Sequence, residues 1–433
     1  MRKIVFLFLL MLVFVSSAQV KKKSFNPSAF VDPQIGSVHG RWFFYTPASL
    51  PFGMAKLAPH TNGYGSVGSW EPCGYDDRHT SIEGFGHFHE FQIGGLVAMP
   101  TTGVLQTIPG TLENPDSGYR SRFDKKAEHT EPGYYSVFLK DYGIKAELTA
   151  TERVGFHRYT FPESKESRII FDVGHRRGES SVVTEAIIRL SGKKELVGSI
   201  ETYPEYLKFC DPEKRVKMYF VIRLNKEAES FGAFSEAEVF KSQKDSKGTG
   251  NGMYLSFSTR KDEVVEMQVG LSYTSIENAK NNLLAEATGK TFDKVKNTAH
   301  QKWNEKLGRI QVEGKDSINK VKFYTGLYHA LLGRGLASDT NGQYIQHNGK
   351  IGQIALNSKG KPKYNHYNTD GIWGGFWNLG QLWALAYPDY QSEYIQSNLD
   401  FAKETGWLHD GVAAGAHSNG VQTNCFGLMI AAT

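Results

Sequence analysis

The chain has 433 residues, 40% hydrophobic and 22% charged, enough for two or three domains with sizeable cores and unlike a disordered or fibrous protein. Its formal charge is +5, and loss of Arg2 and Lys3 with a leader lowers that to +3, too little to indicate a nucleic-acid partner. Three cysteines, Cys73, Cys210 and Cys425, exclude a disulfide framework and fit no zinc-motif spacing.

The first 20 residues read as a secretory signal. Arg2 and Lys3 precede an apolar run from Ile4 to Val15, and Ser16-Ser17-Ala18 offers a small-residue cleavage site. The run is too short to span a bilayer, so a secreted or periplasmic protein cut after Ala18, without stable membrane insertion, is expected.

From Phe30 to about Tyr273 the pattern is that of strands. Ile144, Ala146, Leu148 and Ala150 alternate along the chain, then Phe220, Ile222 and Leu224, then Val265, Met267, Val269 and Leu271. Turn-prone breaks such as Asp141-Tyr142-Gly143 separate them, and no helical periods intervene, which predicts an antiparallel β-sandwich over 25–274.

Helical periodicity begins at Ser275, an N-cap residue type. It recurs through Phe292, Val295, Ala299 and Trp303, then Ile318, Val321, Tyr324, Tyr328 and Leu331. After a loop at Ser338–Gly342 it returns with Ile372, Phe376, Leu379 and Trp383, is stopped by Pro388, and resumes with Ile395, Leu399 and Ala402. Residues 275–315 are read as a helical linker and 316–433 as the start of a helical domain.

The chemistry-bearing stretch is Gly74–Gly103, GYDDRHTSIEGFGHFHEFQIGGLVAMPTTG, which gathers adjacent aspartates, histidines, glutamates and glycines. Glycine lets backbone approach a ligand closely while convergent polar side chains are aimed at it. His87 and His89 share one face if the segment is extended, suiting a metal or a hydroxyl network; a buried, hydrogen-bonded, inert pair is the competing reading. The 13% aromatic content leans toward carbohydrate, since aromatic faces stack on sugar rings.

Three motifs in order, DPQIGS at Asp32–Ser37, TPASLPFGMAKLAP at Thr46–Pro59 and GFGHFHEFQIGG at Gly84–Gly95, resemble glycoside hydrolase family 92, the calcium-dependent exo-acting α-mannosidases. Segments at Pro132–Pro162, His300–Gly314, Phe323–Leu332, Ser338–Tyr344 and Gly406–Leu408 extend the likeness over nearly everything after the leader. Gly86 stands where the family has Ser. Trp373-Gly374-Gly375-Phe376-Trp377 stands where it has W-D-T-[FY]-R, so Asp370 either replaces the missing aspartate or caps the helix.

The resemblance implies a β + α multidomain protein: an N-terminal antiparallel β-sandwich followed by a truncated (α/α)6 barrel, of which four helices are legible before an apolar close at Cys425–Thr433. It implies inverting, calcium-assisted removal of terminal α-mannose, with the general base and most calcium ligands expected beyond Thr433 and this chain alone inactive and poorly soluble. Candidate sugar-contacting residues are Trp42, Asp76, His87, His89, Asp370 and Trp373, each with a structural alternative. Gln422 stands where most members carry the general-acid Glu, so a preference for mannosyl phosphodiesters is expected, with an inactive mannan- or glycan-binding relative as the alternative.

Overall fold

The computed structural model describes residues 25–38, 45–61, 74–88, 95–175, 182–204, 207–369, 375–418 and 425–431. Two large antiparallel sheets dominate its first part. One carries, edge to edge, nine strands: Asp245–Gly248, Val182–Leu190, Glu195–Tyr203, Val216–Leu224, Glu263–Ser272, Val154–Phe161, Ile144–Ala150, Tyr134–Leu139 and His129–Glu131. The facing sheet carries eight: Ala48–Ser49, Lys56–His60, Gly84–Gly86, Val97–Thr101, Ser164–Asp172, Asn251–Thr259, Ser230–Ser235 and Glu238–Lys241.

The expected alternating residues line the core between the sheets. Ile144, Ala146, Leu148, Phe220, Ile222, Val265, Met267, Val269 and Leu271 are all fully buried, as a period of two requires when one face is packed. Aromatic rings cross the gap between the sheets: Phe85 meets Tyr159 at 6.2 Å and Phe161 meets Phe257 at 5.5 Å.

The outer face of the nine-stranded sheet is also covered. Val154, Phe156, Val197 and Val221 pack under Ala279, Leu283, Phe292 and Val295, which belong to helices α2 (Ile276–Ala287) and α3 (Phe292–Leu307); a four-residue α1, Leu207–Cys210, precedes them in the chain. Ser275 caps α2 as its side chain suggests, accepting from the Asn278 amide at 3.0 Å. Gly133, at φ +90°, lies under α3 where an added Cβ would come within 2.8 Å of the Ala299 methyl. Only glycine suits both that conformation and that approach.

Further helices among the described residues are α4 (Ser317–Ala330), α5 (Leu379–Ala386), α6 (Pro388–Thr405) and α7 (Cys425–Ala431). Pro388 both ends one helix and opens the next, because a first-turn proline sacrifices no intrahelical hydrogen bond. Two expected stripes are corrected. Ile318, in the first turn of α4, is 65% exposed, and burial starts at Tyr324. On α6 Leu399 and Ala402 are only half-buried, while Tyr390, Tyr394, Asn398 and Phe401 face inward; the large aromatics rotate the buried face toward themselves, because they have the most apolar area to remove from water.

The second motif joins sandwich to helices. At Leu50-Pro51-Phe52-Gly53 the Phe52 amide donates to Leu331 O and its carbonyl accepts from the Leu336 amide, each at 2.9 Å. The Phe52 ring stacks on Tyr390 and meets Trp383 edge-on at 5.9 Å. Phe52 is held at φ +54°, a conformation that costs a non-glycine residue roughly 1–3 kcal/mol and that these two hydrogen bonds and the buried ring offset. Asp339, in the Ser338–Gly342 loop, forms a second tie: its buried carboxylate accepts from Ser272 Oγ at 2.9 Å, Asn282 Nδ2 at 2.7 Å and Thr274 Oγ1 at 2.5 Å. None of the helices among the described residues is long and apolar enough to cross a membrane.

Candidate functional site

In the Gly74–Gly103 stretch the titratable groups of the described residues are tied to other protein groups. The Asp76 carboxylate accepts from Arg78 at its backbone N, Nε and Nη2, at 2.9, 2.9 and 2.6 Å. Burial pushes that carboxyl up, but the Arg78 hydrogen bonds and the neighbouring positive charge outweigh burial and hold it below the usual carboxylate range. The Asp76 amide donates to Thr61 Oγ1 at 2.9 Å, and Thr61 Oγ1 lies 3.1 Å from His79 Nδ1. Glu83 pairs with Arg120 at 3.1 Å, both side chains fully buried, and Arg120 also donates to the carbonyls of Thr61 and Ser81.

His87 lies in the sandwich core. Its Nδ1 is 3.0 Å from Leu96 O, so Nδ1 carries the proton and Nε2 the lone pair. That Nε2 faces His157 Nε2 at 2.8 Å and must accept from it, which leaves His157 Nδ1 to accept from Tyr159 OH, also at 2.8 Å. One set of tautomers therefore satisfies the whole relay with both rings neutral. Burial supports this, lowering His87 to about 4 and, helped by its partner, His157 well below its ordinary value.

The first motif meets the stretch at a partly exposed polar cluster. Gln34 Nε2 donates to Glu128 at 3.0 Å and Asp77 at 3.3 Å, while Tyr75 OH donates to Glu128 at 3.0 Å. Lys125 Nζ lies 2.7 Å from both Asp77 and Glu128. Asp77, Lys125 and Gln34 are partly exposed, while the Tyr75 and Glu128 side chains that tie them together are buried.

A second cluster was not singled out in the sequence. Asp211 follows α1; His347 sits in the turn between strands Gln343–Ile345 and Ile351–Gln353; His417 is in strand Ala416–Ser418, which pairs with Gly411–Ala413. One ligand-type atom from each residue lies within 4.8 Å of the others. Asp211 Oδ2 is 2.9 Å from His417 Nδ1 and 3.7 Å from His347 Nδ1. Burial and then the adjacent His409 lower His417, outweighing the attraction of Asp211. No local spacing announces this cluster; only the fold joins its three segments.

Trp42, His89, Asp370, Trp373 and Gln422 lie outside the described residues, as do Cys73 and the leader. Next to two of them, Thr369 and Val412 exchange backbone hydrogen bonds at 2.7 and 3.1 Å, so the strand leading to Asp370 pairs with the hairpin that precedes Gln422. Cys210 and Cys425 are both half-buried.

Comparison with known proteins agrees with this architecture. The family models for the glycosyl hydrolase family 92 N-terminal domain and catalytic domain match residues 30–272 and 278–432. An uncharacterized secreted glycosidase of Arthroderma benhamiae is 27% identical over 333 residues, covering 70% of this chain and 41% of that protein. A family 92 α-mannosidase of Bacteroides thetaiotaomicron superposes with a TM-score of 0.84 at 23% identity, covering 94% of this chain and 54% of that one. An inverting mannosidase of the same organism gives 0.78 at 21% identity, covering 94% and 52%. At these identities the solved structures establish the shared fold, and this chain spans about half the length of the proteins it matches. With both domain models matched in order across the sandwich and the helices, the chain belongs to glycosyl hydrolase family 92.

Proposed function

We propose that the protein to which this chain belongs is an exported α-mannosidase that removes terminal mannose with inversion and prefers mannosyl phosphodiesters. The observation that carries the activity is the match to both family domains. Relatives support mannose and export: solved structures of the same fold are α-mannosidases, one in complex with mannoimidazole and one inverting, and a sequence relative is a secreted glycosidase.

Inversion needs an acid at the leaving oxygen and a base at water, roughly 6.5–9.5 Å apart. Gln422 stands in the sequence where the family's acid is expected, and an amide donates no proton as a carboxylic acid does. General acid catalysis is typically worth about 10²–10⁴-fold, so ordinary mannosides suffer. A phosphate leaves without a proton, and a neutral Gln422 spares it the repulsion of a carboxylate.

Calcium enters from the family resemblance. Among the described residues the one cluster of three ligating side chains, Asp211, His347 and His417, contains two imidazoles, whereas calcium takes six to eight oxygens. It does not fit that ion.

The test uses the full-length protein, with rates on a mannosyl phosphodiester and on α-1,2-mannobiose before and after Gln422→Glu. Preference for the phosphodiester, shifted toward mannobiose by the substitution, is expected, as is loss of activity in chelator with recovery in calcium. Mannan binding with no turnover of either substrate would instead identify a glycan-binding relative, and a wild-type preference for mannobiose would refute the leaving-group argument.

A further inference from the structure

We propose that Asp211, His347 and His417 form a binding site for a divalent transition metal of the Zn²⁺ class, clamping the sandwich connection after α1 onto two hairpins of the helical part. The donors are the ones such ions take, two imidazole nitrogens and one carboxylate, all within 4.8 Å of one another. Three protein ligands leave the fourth tetrahedral position to water.

Two atoms of the cluster point to a missing partner. Asp211 Oδ2 and His417 Nδ1 are buried 2.9 Å apart, and neither has a hydrogen-bond partner in the protein other than the other. Asp211 is 9% exposed. That single contact is all that replaces the water both atoms have given up, which leaves a buried carboxylate oxygen and a ring nitrogen undercompensated. A cation between them satisfies both.

The surroundings hold the ligands from outside. Glu404 accepts from the His347 amide and from Gln346 Nε2, each at 3.0 Å, and from Tyr344 OH at 3.1 Å, which fixes the turn that carries His347. His347 Nδ1 lies 3.1 Å from Gly415 O, in the same hairpin as His417, and Lys214 Nζ donates to the His347 carbonyl. The Phe401 ring meets His347 edge-on at 5.5 Å and lies 6.4 Å from His417. This is the outer shell of carbonyls, carboxylates and apolar cover that positions metal-ligating histidines. The site is distinct in chemistry from a calcium site, whose hard ion prefers oxygen.

The test titrates the metal-free full-length protein with Zn²⁺ by calorimetry and with Co²⁺ by visible absorption, with Asp211→Asn, His417→Asn and His347→Gln beside the wild type. His129→Asn serves as a control for surface histidines, since its side chain is 60% exposed. One equivalent of Zn²⁺ is expected, with tetrahedral Co²⁺ bands, no competition from Ca²⁺, and increased hydrogen-exchange protection in the Gly411–Ser418 hairpin. Each ligand substitution should lower affinity by more than the roughly 10–100-fold typical of outer-shell changes, and His129→Asn should leave it unchanged. The His347→Gln change, in a turn, keeps the comparison available should a buried substitution unfold the chain. Absence of a stoichiometric site in the wild type, equal binding by folded ligand variants, or displacement by Ca²⁺ would each overturn the proposal.

Discussion

Acid should weaken the sandwich through the His87–His157 pair. His87 is fully buried and lowered from 6.5 to about 4, so between those values the unfolded chain holds a proton that the folded chain excludes. Stability therefore rises with pH across this window: the contribution is complete above pH 6.5 and is lost as pH falls toward 4. A displacement of that size corresponds to about 3 kcal/mol, of which about 2 kcal/mol is gone by pH 5. His157, lowered in the same direction, adds to it. Urea unfolding of the protein, followed by tryptophan fluorescence and circular dichroism between pH 7.5 and 4.5, measures the effect. His87→Phe removes the titrating ring but strands the Leu96 carbonyl and the His157 N–H, costing about 1–3 kcal/mol at pH 7.5 while flattening the acid limb. Equal pH slopes in wild type and His87→Phe would refute the neutral relay.

Phe52→Ala should cost about 3–5 kcal/mol, because the ring stacked on Tyr390 and set against Trp383 is 5% exposed; the expected signature is separate unfolding of sandwich and helices in calorimetry. Gly335→Ala should destabilise by more than about 1 kcal/mol, since Gly335 is at φ +79° and a Cβ there would lie 2.3 Å from Gly53 O at the same junction. A thermal midpoint equal to wild type would show that the junction yields at no cost.

The sequence by itself determined what neighbouring residues encode. Alternation at Ile144–Ala150 and Val265–Leu271 identified buried strand faces, and Ser275 marked the start of α2, because a period of two and a cap depend only on residues a few positions apart. Family membership was legible for a related reason: its motifs are short, and their order survives without any knowledge of the fold. Tertiary structure decided the rest. His87 reads in the sequence as half of a ligand-like pair with His89, and its partner in the structure is His157, brought opposite by the packing of one sheet on the other. Asp76 and Glu83 found Arg78 and Arg120, and the aromatics of α6 turned its buried face away from Leu399 and Ala402. Asp211, His347 and His417 carry no signal in the sequence, because each is an ordinary polar residue in its own segment. Their chemistry exists only where three distant segments converge, and convergence is fixed by long-range packing, which leaves no periodic trace along the chain.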